Sequence, residues 1–94
     1  MALGENPKKL AEDVSQGLLT FNTANLRRYE EGDLKIIVEH LNALQSAIRQ
    51  DVTSMEDPEY NEKIKEKNRR MGRIRNAMTL IRSFAHRRGL KSLA

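Results

Sequence analysis

The sequence predicts an all-α protein: a small three-helix bundle in which the second and third helices form an antiparallel hairpin. Apolar residues recur every three or four positions along most of the chain, which is the spacing of one buried helix face. Two cap-and-proline pairs, Asn6-Pro7 and Asp57-Pro58, mark helix starts. Because the chain has 94 residues, we expect a single helical domain over residues 1–94.

The first predicted helix begins at Pro7, since Asn6 is a favourable N-cap residue. Polar residues around Thr23 weaken the pattern, so the helix either bends there or restarts from Thr23 before ending near Tyr29. Gly32 is the expected left-handed stop. The apolar stripe of this segment comprises Leu10, Val14, Leu18, Phe21, Leu26 and Tyr29.

The second predicted helix opens at Asp33 as N-cap and spans about 19 residues. Its apolar residues alternate in spacings of three and four, which predicts a seam packed on another helix. They are Leu34, Ile37, Leu41, Leu44 and Ile48. We expect Leu41 and Leu44 to form a core with Ile74 and Ile81 of the third helix.

The third predicted helix runs from Asp57-Pro58 to Gly89, and its apolar stripe is interrupted only at Lys67. It is about 30 residues long, so it should outrun the second helix by about 15 Å. We expect the excess in its C-terminal half, where Leu80 and Phe84 would form an exposed protein-interaction patch. Alternatively, an unbroken first helix covers that patch.

The composition argues against several functional classes. The chain contains no cysteine, and His40 and His86 stand in no metal-binding spacing. No phosphate-binding loop or nucleophile motif is present, so we expect neither enzymatic activity nor a cofactor or metal. The longest apolar run is three residues, which predicts no membrane span, and a cytoplasmic location is expected.

Charge is divided unevenly along the chain. Residues 1–62 hold six basic and twelve acidic residues, a net charge of −6, whereas residues 63–94 hold eleven basic residues and one acidic residue, a net charge of +10. Such asymmetry is typical of proteins that bind nucleic acid or an acidic partner. The alternative is that the acidic part simply packs beside the basic part.

The cations of the third helix lie beside small polar residues on its predicted outer face. Arginine, lysine, serine, threonine and asparagine are the usual contacts to phosphate groups. We therefore expect anion binding by Arg69, Arg73 and Arg75, with Lys65 and Arg70 assisting and Arg87 at the flank.

These observations favour a non-enzymatic accessory subunit of a larger nucleoprotein assembly. It would bind the backbone of RNA or DNA without reading the sequence, because no aromatic residues alternate with the cations. The alternative is a dimerising or adaptor module whose basic helix binds an acidic protein. Protein partners are expected in either case, as other subunits of a complex or as further copies of this chain.

Overall fold

The computed structural model describes residues 6–90, which form four α-helices: α1 (Pro7–Ser15), α2 (Thr23–Leu26), α3 (Glu31–Gln50) and α4 (Tyr60–Arg88). These residues contain no strand. Helices α1, α3 and α4 pack against one another, and the short α2 packs against α4. The predicted all-α bundle is confirmed, with the first predicted helix divided into α1 and α2.

Helix α1 begins where the sequence predicts and ends much earlier. The Asn6 side chain accepts a hydrogen bond from the Lys8 N–H at 2.9 Å, as an N-cap should. At the other end Gly17 has a φ of 80°, which favours glycine, and the Leu18 N–H donates to the Asp13 carbonyl at 2.8 Å. This left-handed turn ends α1 at Ser15, so of the two predicted alternatives the single bent helix reaching Tyr29 is wrong.

Helix α2 is a single turn fixed by reciprocal caps. The Asn22 side chain accepts from the Asn25 N–H at 3.0 Å, and the Asn25 side chain accepts from the Asn22 N–H at 2.8 Å. The predicted restart at Thr23 is confirmed. The polar residues that weaken the helical pattern therefore act as caps, satisfying N–H groups that a helix start leaves free.

Helix α3 begins at Glu31, two residues before Asp33, which was predicted as its N-cap. Asp33 lies in its first turn, where its side chain accepts from the Glu30 N–H at 3.1 Å. Gly32 is consequently part of α3 and is not the predicted stop. Asp33 therefore accepts a hydrogen bond at this helix start, as expected, but it does so from the third helical position and not from the N-cap position.

One core joins all four helices. Leu34, Ile37, Leu41, Ile74 and Ile81 are fully shielded from solvent. Leu41, Leu44, Ile74 and Ile81 were predicted to form the core between the second and third helices. Three of these four are buried, but Leu44 is only partly buried. It lies in a surface groove between α1 and α3, because the small Ala11 and Ala47 beside it leave that side open.

The length difference between α3 and α4 falls at the opposite end from the predicted one. Helix α4 has 29 residues and α3 has 20, or about 43 Å against about 30 Å. The Lys67 ammonium donates to the carbonyls of Asp51 at 2.8 Å and Arg49 at 3.4 Å, so the end of α3 lies beside Lys67. Residues 60–66 of α4 extend beyond it.

The C-terminal half of α4 is therefore well covered. Phe84 is 3 % exposed and Leu80 is partly buried, because the segment after α1 and α2 pack over them. The predicted exposed patch at Leu80 and Phe84 is wrong for this reason. The broken first helix covers the same surface that an unbroken one was expected to cover, and α4 ends at Gly89, whose φ is 72°.

Candidate nucleic-acid interface

The outward face of α4 carries a continuous strip of cations and small polar residues. All of the following residues are exposed: Lys65, Arg69, Gly72, Arg75, Asn76, Thr79, Arg82, Ser83, His86 and Arg87. Their positions follow helical spacings of three and four residues, so they share one broad side of the helix. We call this set the α4 strip. It contains four of the six predicted binding cations: Lys65, Arg69, Arg75 and Arg87.

Two cations of the α4 strip already have carboxylate partners. Arg69 lies 3.1 Å from Glu66, and Lys65 lies 4.0 Å from Glu62. At least half of each of these four side chains is exposed. Exposed pairs of this kind contribute only about 0.2–1 kcal/mol. A phosphate group can therefore compete for both cations, as it could not for a buried ion pair.

Arg75 and Arg82 are two exposed cations of the strip that lie on the same side of the helix. They are seven residues apart, two helical turns or about 10 Å, and lie on one row of α4. Neither makes an ion pair with any residue between 6 and 90. Thr79 lies between them, and its hydroxyl donates to the Arg75 carbonyl at 3.0 Å. Arg82 was not among the predicted binding residues, although its seven-residue spacing from Arg75 places both on one row of a helix.

Arg70 and Arg73 face a different way from the α4 strip. The Arg73 guanidinium donates to the Ser15 carbonyl at 3.0 Å, and Arg70 lies 3.4 Å from the Ser15 hydroxyl. Both residues are partly buried against the end of α1. A helix end leaves carbonyls without partners and carries partial negative charge, so arginines are favourable there. Anion binding by these two residues stays a prediction, but the structure gives them a local contact with α1.

A second group of arginines gathers where α4 ends. Arg27, just after α2, lines one surface depression together with Thr23, Phe84, Arg87 and Arg88. The Arg88 guanidinium carbon lies 5.4 Å from the centre of the Phe84 ring, a cation–π distance. Of these three arginines, only Arg87 was predicted as a binding residue. Arg27 lies far from α4 in the sequence, and only the packing of α2 brings it to this end of the helix.

The potential metal-binding and acid–base side chains of residues 6–90 are spread over several surfaces. Within residues 6–90, no group of three or more His, Asp and Glu side chains could hold a metal ion. His40 lies in the groove beside Leu44, whereas His86 is exposed on α4. The two histidines thus belong to different surfaces, and the groove that holds His40 is also lined by Lys8 and Glu12.

Comparison with known proteins finds no matching family model, no similar curated protein and no similar solved structure. Among the helices of the described residues, none has the length and apolar character needed to cross a membrane.

Proposed function

We propose that this protein is a non-enzymatic helical subunit that binds the sugar–phosphate backbone of a nucleic acid through the α4 strip, without reading the sequence. It would act within a larger nucleoprotein assembly in the cytoplasm, with other protein subunits as neighbours. The observation that carries the proposal is the pair Arg75 and Arg82, which are exposed, lie on one row and have no carboxylate partner in residues 6–90.

The shape of the α4 strip suits a long, regularly charged ligand. Helix α4 is about 43 Å long, and the whole protein extends over 48 Å along its longest axis. Between the cations stand Gly72, Asn76, Thr79 and Ser83, whose small side chains allow a backbone to approach closely. A compact acidic ligand would contact only part of this surface.

Sequence-independent binding is supported by where the aromatic residues lie. Phe21, Tyr29 and Phe84 are buried, and Tyr60 is partly buried at the far end of α4. No aromatic ring is therefore offered to bases along the strip, and base stacking cannot supply the affinity. Affinity would come from charge, through release of the counterions that surround the phosphates.

The test is fluorescence anisotropy at low salt with mixed-sequence duplex DNA and RNA. The variant Arg69→Gln/Arg75→Gln/Arg82→Gln leaves Arg73 unchanged. Replacing Arg73 would also remove its contact with α1, so a loss of binding could not be assigned to charge alone. The triple variant should weaken binding more than about tenfold, because three phosphate contacts are lost.

The matched control removes the same charge from the other helices. The variant Lys9→Gln/Lys35→Gln/Arg49→Gln changes exposed cations of α1 and α3, and we expect a loss of less than about threefold, since only the overall field is reduced. Equal losses in the two variants would contradict binding by the α4 strip. No binding by the unaltered protein would overturn the proposal and favour an acidic protein partner.

A further inference from the structure

The depression at the end of α4, which we call the arginine cleft, is a candidate site separate from the α4 strip's row of Arg75 and Arg82. Its lining consists of one hydroxyl, one aromatic ring and three guanidinium groups: Thr23, Phe84, Arg27, Arg87 and Arg88. No carboxylate of residues 6–90 lines it. Like charges repel, so three cations gathered around one depression are costly unless an anion enters.

The three arginines come from two separate segments of the chain. Arg27 follows α2, whereas Arg87 and Arg88 lie in the last turn of α4. The packing of α2 against α4 therefore brings Arg27 to the cleft, and the contact with the Phe84 ring orients Arg88. The site is built by the fold, and a single basic stretch of sequence does not account for it.

An adjoining depression limits the positive charge on one side. It is lined by Arg27, Arg28 and Arg88 together with Glu30 and Glu31, so two carboxylates lie near one edge of the cleft. Arg87 does not line that depression and makes no ion pair within residues 6–90. The part of the cleft at Arg87 therefore keeps a net positive charge, and an anion should approach from that side.

We propose that the arginine cleft binds a phosphate monoester. Such a group carries about −1.5 to −2 charges at pH 7 and offers three acceptor oxygens, which suits donors that surround a ligand from several sides. Each guanidinium can bond two oxygens at once. A phosphodiester has one charge and two free oxygens, so it is better matched by a row of single cations such as the α4 strip.

The cleft measures about 680 Å³ and is open to solvent. It therefore has room for more than the phosphate alone. Two sources offer the same chemistry: a free nucleotide and the phosphorylated end of a nucleic acid. The cleft shares Arg87 with the α4 strip but does not involve Arg69, Arg75 or Arg82, so either proposal can fail without the other.

The first experiment separates monoester from diester. The full chain is titrated with monomethyl phosphate and with dimethyl phosphate, while the arginine side-chain N–H signals are followed by NMR. We expect saturable shifts with the monoester and at least about tenfold weaker binding of the diester, since the diester carries less negative charge and one fewer acceptor oxygen.

The variant Arg27→Gln/Arg87→Gln should lose monomethyl phosphate binding at least about fivefold. Both residues are exposed, and unchanged helicity by circular dichroism would show that the fold survives. Arg69→Gln/Arg75→Gln is the control with equal charge loss, and it should retain monoester binding. Equal binding of the two esters, or equal loss in the two variants, would overturn the proposal.

The second experiment identifies the source. A 5′-phosphorylated oligonucleotide that binds at least about fivefold tighter than its 5′-hydroxyl form, with the difference lost in Arg27→Gln/Arg87→Gln, supports a nucleic-acid end. Adenosine monophosphate that binds in the cleft with no preference for phosphorylated ends supports a free nucleotide. If none of these phosphates binds and the variant instead dissociates an oligomer, the cleft is a protein contact and the proposal fails.

Discussion

Replacing Phe84 with alanine tests whether the end of α4 is truly covered by the segment between Ser15 and α3. Phe84 is 3 % exposed and belongs to the core. Removing a buried phenylalanine side chain costs about 3–5 kcal/mol, and loss of the cation–π contact with Arg88 adds about 0.5–1 kcal/mol. Domains are typically stable by about 5–15 kcal/mol, so the variant should be close to unfolding.

The assay is urea unfolding followed by circular dichroism. Phe84→Leu keeps most of the apolar volume and should cost less than about 1.5 kcal/mol. Leu18→Ala is the control, because Leu18 is 73 % exposed and surface changes cost within about 0.5 kcal/mol. A cost for Phe84→Ala as small as that of Leu18→Ala would refute the coverage, and would restore the exposed patch predicted from the sequence.

Three further variants test local features of the fold. Lys67→Met removes the donor to the Asp51 carbonyl and should cost about 0.5–1.5 kcal/mol in urea unfolding; no cost would mean that the end of α3 does not depend on it. Gly17→Ala places a side chain at a φ of 80° and should cost about 1–2 kcal/mol by thermal unfolding, whereas a gain in stability would contradict the left-handed turn. The hydrogen bond from Lys63 lowers the pKa of Asp57 below its ordinary 3.8. The stability that this hydrogen bond contributes is therefore fully present above the ordinary pKa and is lost as the pH falls through the lowered pKa. Asp57→Asn removes this pH-dependent contribution and should flatten the acid side of the stability–pH curve. An unchanged curve would contradict the pairing.

The all-α class and the buried faces of α3 and α4 could be predicted because they depend on local spacing. The residues Leu41, Ile74 and Ile81 follow from that spacing, and all three are buried. The end of α1 was not predicted, because the apolar stripe continues past it through Leu18 and Phe21. In the structure Gly17 makes a left-handed turn there, and Leu18 is exposed.

Contacts between distant segments could not be predicted in the same way. Lys67 interrupts the apolar stripe of α4, but only the register of the hairpin shows that it bonds the carbonyls at the end of α3. In the sequence, Arg73 likewise resembles a surface cation. The structure shows that α1 ends beside it and that Arg73 donates to the Ser15 carbonyl. The arginine cleft requires Arg27 to reach the end of α4, which depends on the packing of α2.

The central claim is that the α4 strip binds phosphates by charge, and its most direct test is a salt series. The logarithm of the binding constant for mixed-sequence duplex DNA is measured against the logarithm of salt concentration. With Lys65, Arg69, Arg75, Arg82 and Arg87 engaged, the slope should be about −3 to −5, and Arg69→Gln/Arg75→Gln/Arg82→Gln should reduce its magnitude by about 2–3. A slope near zero, or one that the triple variant leaves unchanged, would contradict the account.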